Sequence, residues 1–512
     1  MIKLCIRIKE RLGFTMRKIL LLVIILLVCS CVACASKNVG TTGDTSTSSP
    51  TTTKNATSTD NIQTTVAVTT AAVTTEGIDV EFYTALAKSN IEKSILMGKA
   101  TIDFYTNDRI LTSPNFILAE TLKIGGSNYS SAGTSSVWHY TSFYAMTSRL
   151  AKLSEGEDKN YFSNINNNTY KGFGYYRGTT NVITYNDVVE MNFYGVNRGS
   201  KIDGANVAGD QAVYDDQMWI IRECIYSYKS TGNVEYLNEA MRLSKLCIAG
   251  WDSTIGVNGK EYGGIPWGPS YATKHTCSNA PIISPLVEIY EILKAQDNSE
   301  ADYYLEWAKK IYSFTYKTLR NGNYTFGDLV GTSRERRGTK YVTTGQSSGI
   351  DNTAYTYNTG AMISGAAALY RATGEENYYR QGKNFANGAY NVFLKKYNDV
   401  DCAVWFTKCA GTELSLSSTL WFNLVLLQGF IDLAPYYDKC ETYIMYFQDS
   451  LDYAYENHLK DGLFPRNYVE GWNLKSNEDA NKNVMDQAAS AQMYSMIAEW
   501  AMSLVDKATG EN

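Results

Sequence analysis

Histidine is scarce. The 512-residue chain has three, His139, His275 and His458, too few for a His-rich metal centre, and a Ser/His/Asp triad would have to use one of them. No metal and no cofactor is therefore expected. Proline is scarce as well, eight in all, so long helices can run uninterrupted. An excess of positive charge is missing: 47 Lys and Arg against 52 Asp and Glu leave a net charge of −5, with no basic patch to hold nucleic acid. Neither a phosphate loop nor a dinucleotide fingerprint is present. Gly345-Gln346-Ser347-Ser348-Gly349 matches the nucleophile-elbow pattern, but no apolar strand leads into it and no helix follows closely, so it reads as a polar loop. The six cysteines of the body fit no zinc spacing. Cys402 and Cys409 are spaced to close a loop, whereas Cys224, Cys247 and Cys440 fall in helical patterns and read as buried thiols.

Aromatic side chains are plentiful, with 39 Tyr and 9 Trp, and their faces suit the apolar faces of sugar rings. The N-terminus reads as a secretion signal over 1–34. Arg7, Lys9, Arg11, Arg17 and Lys18 precede the apolar run Ile19 to Val28, which is too short for a membrane span. Val28-Cys29-Ser30-Cys31 and Cys31-Val32-Ala33-Cys34 both resemble a bacterial lipoprotein box, which makes Cys34 or Cys31 the lipidated residue. Residues 35–77 collapse to Ser, Thr, Ala, Asn and Val. Such a segment cannot bury enough apolar surface to fold and reads as a flexible tether. The implied location is a bacterial cell surface or the extracellular space, with membrane contact only through a lipid anchor.

From 78 to 508 the apolar spacing predicts helix after helix: 79–106, 135–153, 157–170, 214–230, 233–250, 281–296, 301–320, 355–373, 376–395, 416–434, 437–458 and 484–505. The stretch from Lys171 to Gly199, rich in Tyr, Thr, Val and Asn, reads instead as a loop with short strands. A polar turn followed by Tyr recurs at Thr231 to Leu237, Asn298 to Leu305, Thr373 to Tyr379 and, in degenerate form, Tyr436 to Cys440. A repeat of this length suits one helical hairpin plus a long loop. Six such hairpins closing on themselves make an all-α fold, an (α/α)6 barrel of about twelve helices. Long irregular connections at 251–280 and 321–354 would build a cleft on one face, and an open helical solenoid is the alternative.

The chemistry concentrates at Gly209 to Trp219. Asp215 and Asp216 are adjacent, open an apolar run with helical spacing (Met218, Trp219, Ile220, Ile221), and are flanked by Tyr214 and Trp219. Glycoside hydrolysis needs two carboxyls, one ionised and one protonated. A helix N-terminus favours an ionised carboxylate, while a neighbouring negative charge and apolar rings make the second hold its proton. Adjacent side chains start ~5–6 Å apart at Cβ, which suits the ~5–5.5 Å separation of a retaining double displacement.

Tyr214-Asp215-Asp216-Gln217-Met218-Trp219 resembles the signature of glycoside hydrolase family 76, the endo-α-1,6-mannanases. Gly263-Gly264-Ile265-Pro266-Trp267, Lys274 to Asn279, Tyr355 to Gly360 and Met485 to Ala489 resemble further family segments in the same order. The resemblance implies an (α/α)6 barrel and retaining hydrolysis of α-1,6-linked mannose, with Asp215 as nucleophile and Asp216 as acid/base. Candidate sugar contacts are Tyr214 and Gln217 beside the pair, Trp138 as a stacking platform, and Trp267, Lys274, Asn279, Tyr357 and Asn358 as loop residues following inner helices. Asp486, among small apolar residues, reads as a buried hydrogen-bond hub. The expected partner is a polysaccharide, α-mannan, acted on by a monomer. Two rival readings stand beside this one: a transglycosylase or hydrolase for another polysaccharide on the same barrel, and a non-catalytic surface glycan-binding lipoprotein.

Overall fold

The computed structural model describes residues 77–510 apart from 126–127, 398–399, 405–407, 411–412, 415–419 and 466–480, and between 395 and 419 it describes backbone only. The signal peptide, the lipobox-like Cys31 and Cys34 and the tether lie outside the described residues, and so do the side chains of Cys402 and Cys409. Twelve α-helices are found among the described residues: α1 Val80–Tyr105, α2 Val137–Leu153, α3 Gly156–Gly172, α4 Tyr214–Thr231, α5 Val234–Ala249, α6 Ile283–Ala295, α7 Ala301–Leu319, α8 Thr356–Thr373, α9 Glu376–Phe393, α10 Trp421–Leu433, α11 Lys439–His458 and α12 Val484–Thr509. None is long and apolar enough to cross a membrane.

The even-numbered helices close a ring in which α2 packs on α4, α4 on α6, α6 on α8, α8 on α10, α10 on α12, and α12 back on α2. Each odd-numbered helix lies outside one of them: α1 on α12, α3 on α2, α5 on α4, α7 on α6, α9 on α8 and α11 on α10. The closed circuit excludes the open solenoid. Composition follows position, because an inner helix meets neighbours on every side. Met485 to Ala498 of α12 are buried without a break, as are Asn358 to Leu369 of α8. Outer helices keep one apolar stripe, as in α9, where Gly382, Phe385, Ala386, Ala389 and Phe393 face inward.

The recurring polar turns join inner to outer helices. Gly232 ends α4 at φ 70° and Gly374 ends α8 at φ 68°, each donating its amide back to a carbonyl of the last turn, the left-handed cap that favours glycine. The other ends of the helices are joined differently. There the all-α expectation needs amending, because the connections carry thirteen short strands among the described residues. The stretch after Lys171 forms a hairpin of β3 (Arg177–Ile183) and β4 (Val188–Tyr194). The 321–354 connection is not irregular: β6 (Leu329–Arg337) and β7 (Lys340–Asp351) form a long hairpin, and of Gly345 to Gly349, all within β7, Gly345 is half-buried and the rest exposed. Alternation of Thr, Ser and charged residues there presents no apolar face, which hides the strand from a hydrophobicity pattern.

Three of these sheets clamp the segments that feed inner helices. β5 (Lys274–His275) precedes α6 and pairs with β6, and β8 (Ala354–Tyr355) precedes α8 and pairs with β11 (Lys408–Ala410). Likewise β13 (Lys482–Asn483) precedes α12 and pairs with β1 (Thr121–Gly125), whose other edge pairs with β2 (Asn128–Ala132). The start of each of these helices is thereby held in register.

Gly360 of α8 and Gly429 of α10 meet backbone to backbone. A Cβ at Gly360 would collide with the Val425 carbonyl oxygen and the Leu426 Cα. Alanine is intrinsically better in a helix by ~1 kcal/mol, yet overpacking costs ~1–3 kcal/mol. Gly360→Ala is expected to lower stability by a net of up to ~2 kcal/mol, read from denaturant unfolding; greater stability would show that the helices can separate freely.

Candidate active site

The ring brings the N-terminal ends of its helices to one cleft. Trp138 opens α2, Asp215 and Asp216 open α4, Tyr357 opens α8, and Trp421 and Phe422 open α10; all line the same space, of about 460 Å³. That volume lies within the ~300–1,000 Å³ usual for ligand clefts. The remaining wall comes from the 251–280 connection, with Trp267, Tyr271, His275 and Cys277, and from Asp328 at the foot of the β6–β7 hairpin. The rim includes Asp210 and Tyr355. Trp138, Phe422 and Tyr357 form a near-parallel stack, with centroids 5.9 and 4.1 Å apart and ring planes inclined by 28° and 27°. Burial pushes the His275 imidazole down to about 4, so it is uncharged at neutral pH.

The two carboxyls have unequal surroundings. Asp215 Oδ2 accepts the indole N–H of Trp267 at 3.0 Å, and Oδ1 accepts the backbone N–H of Asp216 at 3.0 Å. Burial raises its proton affinity, while Trp267, the Cys277 thiol and the Asp216 amide oppose the rise, leaving it at about 6. Asp216, 9% exposed, is raised well above the carboxylate range, first by burial and then by the charge of Asp215. Deprotonation therefore begins at Asp215, and Asp216 keeps its proton. Both sit in the first turn of α4, where the helix end favours negative charge.

Of the ten residues singled out for catalysis or sugar contact, five line the cleft: Asp215, Asp216, Trp138, Trp267 and Tyr357. The other five do not line it: all are buried, and Gln217, Asn279 and Lys274 hold other groups in place. Tyr214 is fully buried, its ring edge-on to Phe193 at 5.6 Å. Gln217 is an amide clamp, accepting from Tyr194 N at 3.0 Å and donating to Tyr194 O at 2.8 Å. Asn279 does the same for Ile265, at 2.8 and 2.9 Å. Asn358 is completely buried in the first turn of α8. Lys274 is 1% exposed and pairs with Asp252 at 2.5 Å, while Asp252 also accepts from Thr343 Oγ1 at 2.5 Å and from Thr254 N at 3.0 Å. That ion pair ties the end of α5, β5 and β7 into one buried knot. Cleft residues also precede or open the inner helices; they do not follow them. Asp486 is indeed buried and accepts the Leu420 amide at 2.8 Å.

Trp219, which flanks the Asp pair in sequence, also lines the cleft, as do Trp421, Phe422, Tyr271, His275, Cys277, Tyr355, Asp210 and Asp328, which were not among the expected contacts. A usable signal existed for two of them, since Trp421 and Phe422 stand at the opening of an inner helix, as Asp215 does. Cys277 stands inside the Lys274 to Asn279 motif segment, but nothing local marks Asp328, which reaches the cleft through pairing of distant segments.

The model of glycosyl hydrolase family 76 matches residues 138–507. A mannan endo-1,6-alpha-mannosidase of Saccharomyces cerevisiae is 23% identical over 186 residues, which are 36% of this chain and 38% of that relative's length. Among solved structures, a family 76 mannosidase of Bacteroides thetaiotaomicron superposes with a TM-score of 0.59 at 20% identity, over 82% of this chain and all of the other. An inactive variant of an α-1,6-mannanase of Salegentibacter sp., with two successive aspartates replaced by asparagine and α-1,6-mannotriose bound, superposes with a TM-score of 0.53 at 17% identity, over 80% of this chain and 99% of that one. At such identities the superpositions establish the fold.

Removing one partner of a buried ion pair leaves an uncompensated charge and costs ~3–5 kcal/mol. Lys274→Met is expected to destabilise the protein by that amount, and adding Asp252→Asn should restore most of it; both are read from urea unfolding. A single variant that unfolds like the parent would mean that Asp252 is not held as a buried anion.

Proposed function

This chain belongs to glycosyl hydrolase family 76, and on that footing we propose that it hydrolyses α-1,6-mannosidic linkages in mannan with retention of configuration. The observation that carries the reading is the unequal pair of carboxyls at the mouth of α4, one held by hydrogen-bond donors and the other left protonated. The α-1,6-mannotriose bound to the Salegentibacter relative and the two successive aspartates altered in it support the substrate and the residues. So does the activity named for the yeast relative.

In the first step Asp215 attacks the anomeric carbon as Asp216 gives its proton to the departing glycosidic oxygen, forming a glycosyl ester on Asp215. Asp216, now ionised, takes a proton from water, whose oxygen displaces Asp215 from the anomeric carbon. Both carboxyls regain their starting state. The stack of Trp138, Phe422 and Tyr357 offers an apolar wall against which a pyranose ring can lie. We also propose, from the N-terminal signal and tether alone, that the enzyme works at a bacterial cell surface or beyond it.

General acid/base assistance contributes ~100- to 10,000-fold. Asp216→Asn is expected to cost at least that much in turnover of α-1,6-mannan, and Asp215→Asn more, with reducing-sugar release as the assay. Near-parental rates in Asp215→Asn would end the assignment. Proton NMR of the first product should show the α-anomer; initial β-mannose would mean inversion.

The pH dependence follows from the same pair. Activity falls as pH drops through about 6, because Asp215 takes up a proton and ceases to be a nucleophile. It falls again at higher pH as Asp216 loses the proton it must donate. The profile of kcat/KM on mannan should therefore be bell-shaped, its limbs belonging to the pair jointly. A rate that stays flat below pH 5 would contradict this.

A further inference from the structure

Asp215 and Asp216 share a helix, a turn and a cleft, so the features that separate their roles must come from elsewhere. The clearest is Trp267, which belongs to the segment before α6. Its indole N–H donates to Asp215 Oδ2 at 3.0 Å. Its backbone carbonyl accepts the amide of Tyr214, the residue before Asp215, at 2.8 Å, and its own amide donates to Thr273 O at 2.9 Å. The Trp267 ring is itself occupied: Tyr271 lies 4.7 Å from it and His275 5.2 Å, with His275 in contact with Thr273 Oγ1 at 3.0 Å. Main chain and side chain thus fasten one residue to both the start of α4 and its first carboxylate.

We infer that Trp267 is a positioning residue for Asp215, aiming the nucleophile's carboxylate through its indole N–H, and not a platform on which sugar stacks. Cys277 is its partner in this task. It is a free thiol, 5% exposed, lining the same cleft. Burial keeps it protonated, and it sits close enough to Asp215 and to the Tyr357 hydroxyl for each to act on the other's proton affinity. Asp215 therefore has one side-chain donor from this connection, Trp267, with the Cys277 thiol beside it, besides the Asp216 amide. The inference rests on the reading of Asp215 as nucleophile.

The test uses the full chain and three variants: Trp267→Phe, which keeps an aromatic ring and loses the N–H, Cys277→Ala, which loses the thiol, and Cys277→Ser, which restores a donor. The substrate is a dinitrophenyl α-1,6-mannobioside, whose leaving group departs without a proton, so the acid limb of kcat/KM reads the nucleophile. A hydrogen bond to a charged group corresponds to about one pH unit. Trp267→Phe should move that limb upward by about one unit while KM stays within about twofold. Cys277→Ala should move it in the same direction by less, and Cys277→Ser should bring it back. An unmoved limb with a raised KM in Trp267→Phe would make Trp267 a sugar platform and overturn the inference.

A second measurement separates this outcome from failure of the functional reading. Carboxyl titration is followed by carbon-13 NMR of aspartate-labelled protein, with no substrate present. If the parent cleaves no α-1,6-mannoside, the functional reading fails, yet Trp267→Phe should still raise the Asp215 titration. If that titration is the same in parent and Trp267→Phe, the positioning role fails whatever the substrate. The Cys277 pair keeps the test decisive should Trp267→Phe not fold.

Discussion

Two carboxyl groups on consecutive residues cannot both carry full charge in one half-enclosed cleft, and the structure around Asp215 and Asp216 is built on that constraint. Burial raises both proton affinities, the charge of Asp215 raises that of Asp216 further, and hydrogen bonds to one member alone decide which proton leaves first. A symmetric pair would share one proton indifferently. Here the indole of Trp267 and the amide of Asp216 break the symmetry, leaving a carboxyl that ionises first beside one that keeps its proton.

The barrel makes that arrangement possible. Closing six inner helices into a ring gathers helix N-termini around one opening, and partial positive charge gathers with them. It also converts sequence separation into proximity: Trp138, Tyr357 and Trp421 open three different helices and stand within one aromatic cluster. Backbone amides near the opening are fixed by side chains that never touch the cleft. Gln217 clamps Tyr194, Asn279 clamps Ile265, and Gln487 clamps Phe464, accepting from its amide at 2.9 Å and donating to its carbonyl at 3.1 Å. Asp216-Gln217 and Asp486-Gln487 are thus the same device on two inner helices, with one carboxyl facing the cleft and the other accepting a backbone N–H.

This division explains why family motifs mislead when every polar residue in them is taken for a ligand. Lys274, Asn279 and Gln217 stand in motif segments, yet their work is to hold loops that have no helix of their own. A loop of some thirty residues carrying Trp267, His275 and Cys277 needs a buried anchor, and the Lys274–Asp252 pair with Thr343 supplies it. The price of burying two charges is offset by the hydrogen bonds that Asp252 accepts from Thr254 and Thr343.

Periodicity alone located the twelve helices, because a 3.6-residue apolar rhythm must show wherever a helix buries one face, and the recurring turn after Thr231, Asn298 and Thr373 revealed their pairing. The Asp215–Asp216 dipeptide was equally visible, since adjacency in the chain is adjacency in space. The β6–β7 hairpin stayed hidden because both its faces are polar, and Cys277 and Asp328 could not be assigned to the cleft because their neighbours there come from other segments. What the sequence determined by itself was the set of helices and the reactive pair, both products of local spacing. Only the tertiary structure decided which carboxyl ionises first and which motif residues face the cleft, because hydrogen bonds such as Trp267 to Asp215 join segments that meet only when the ring closes.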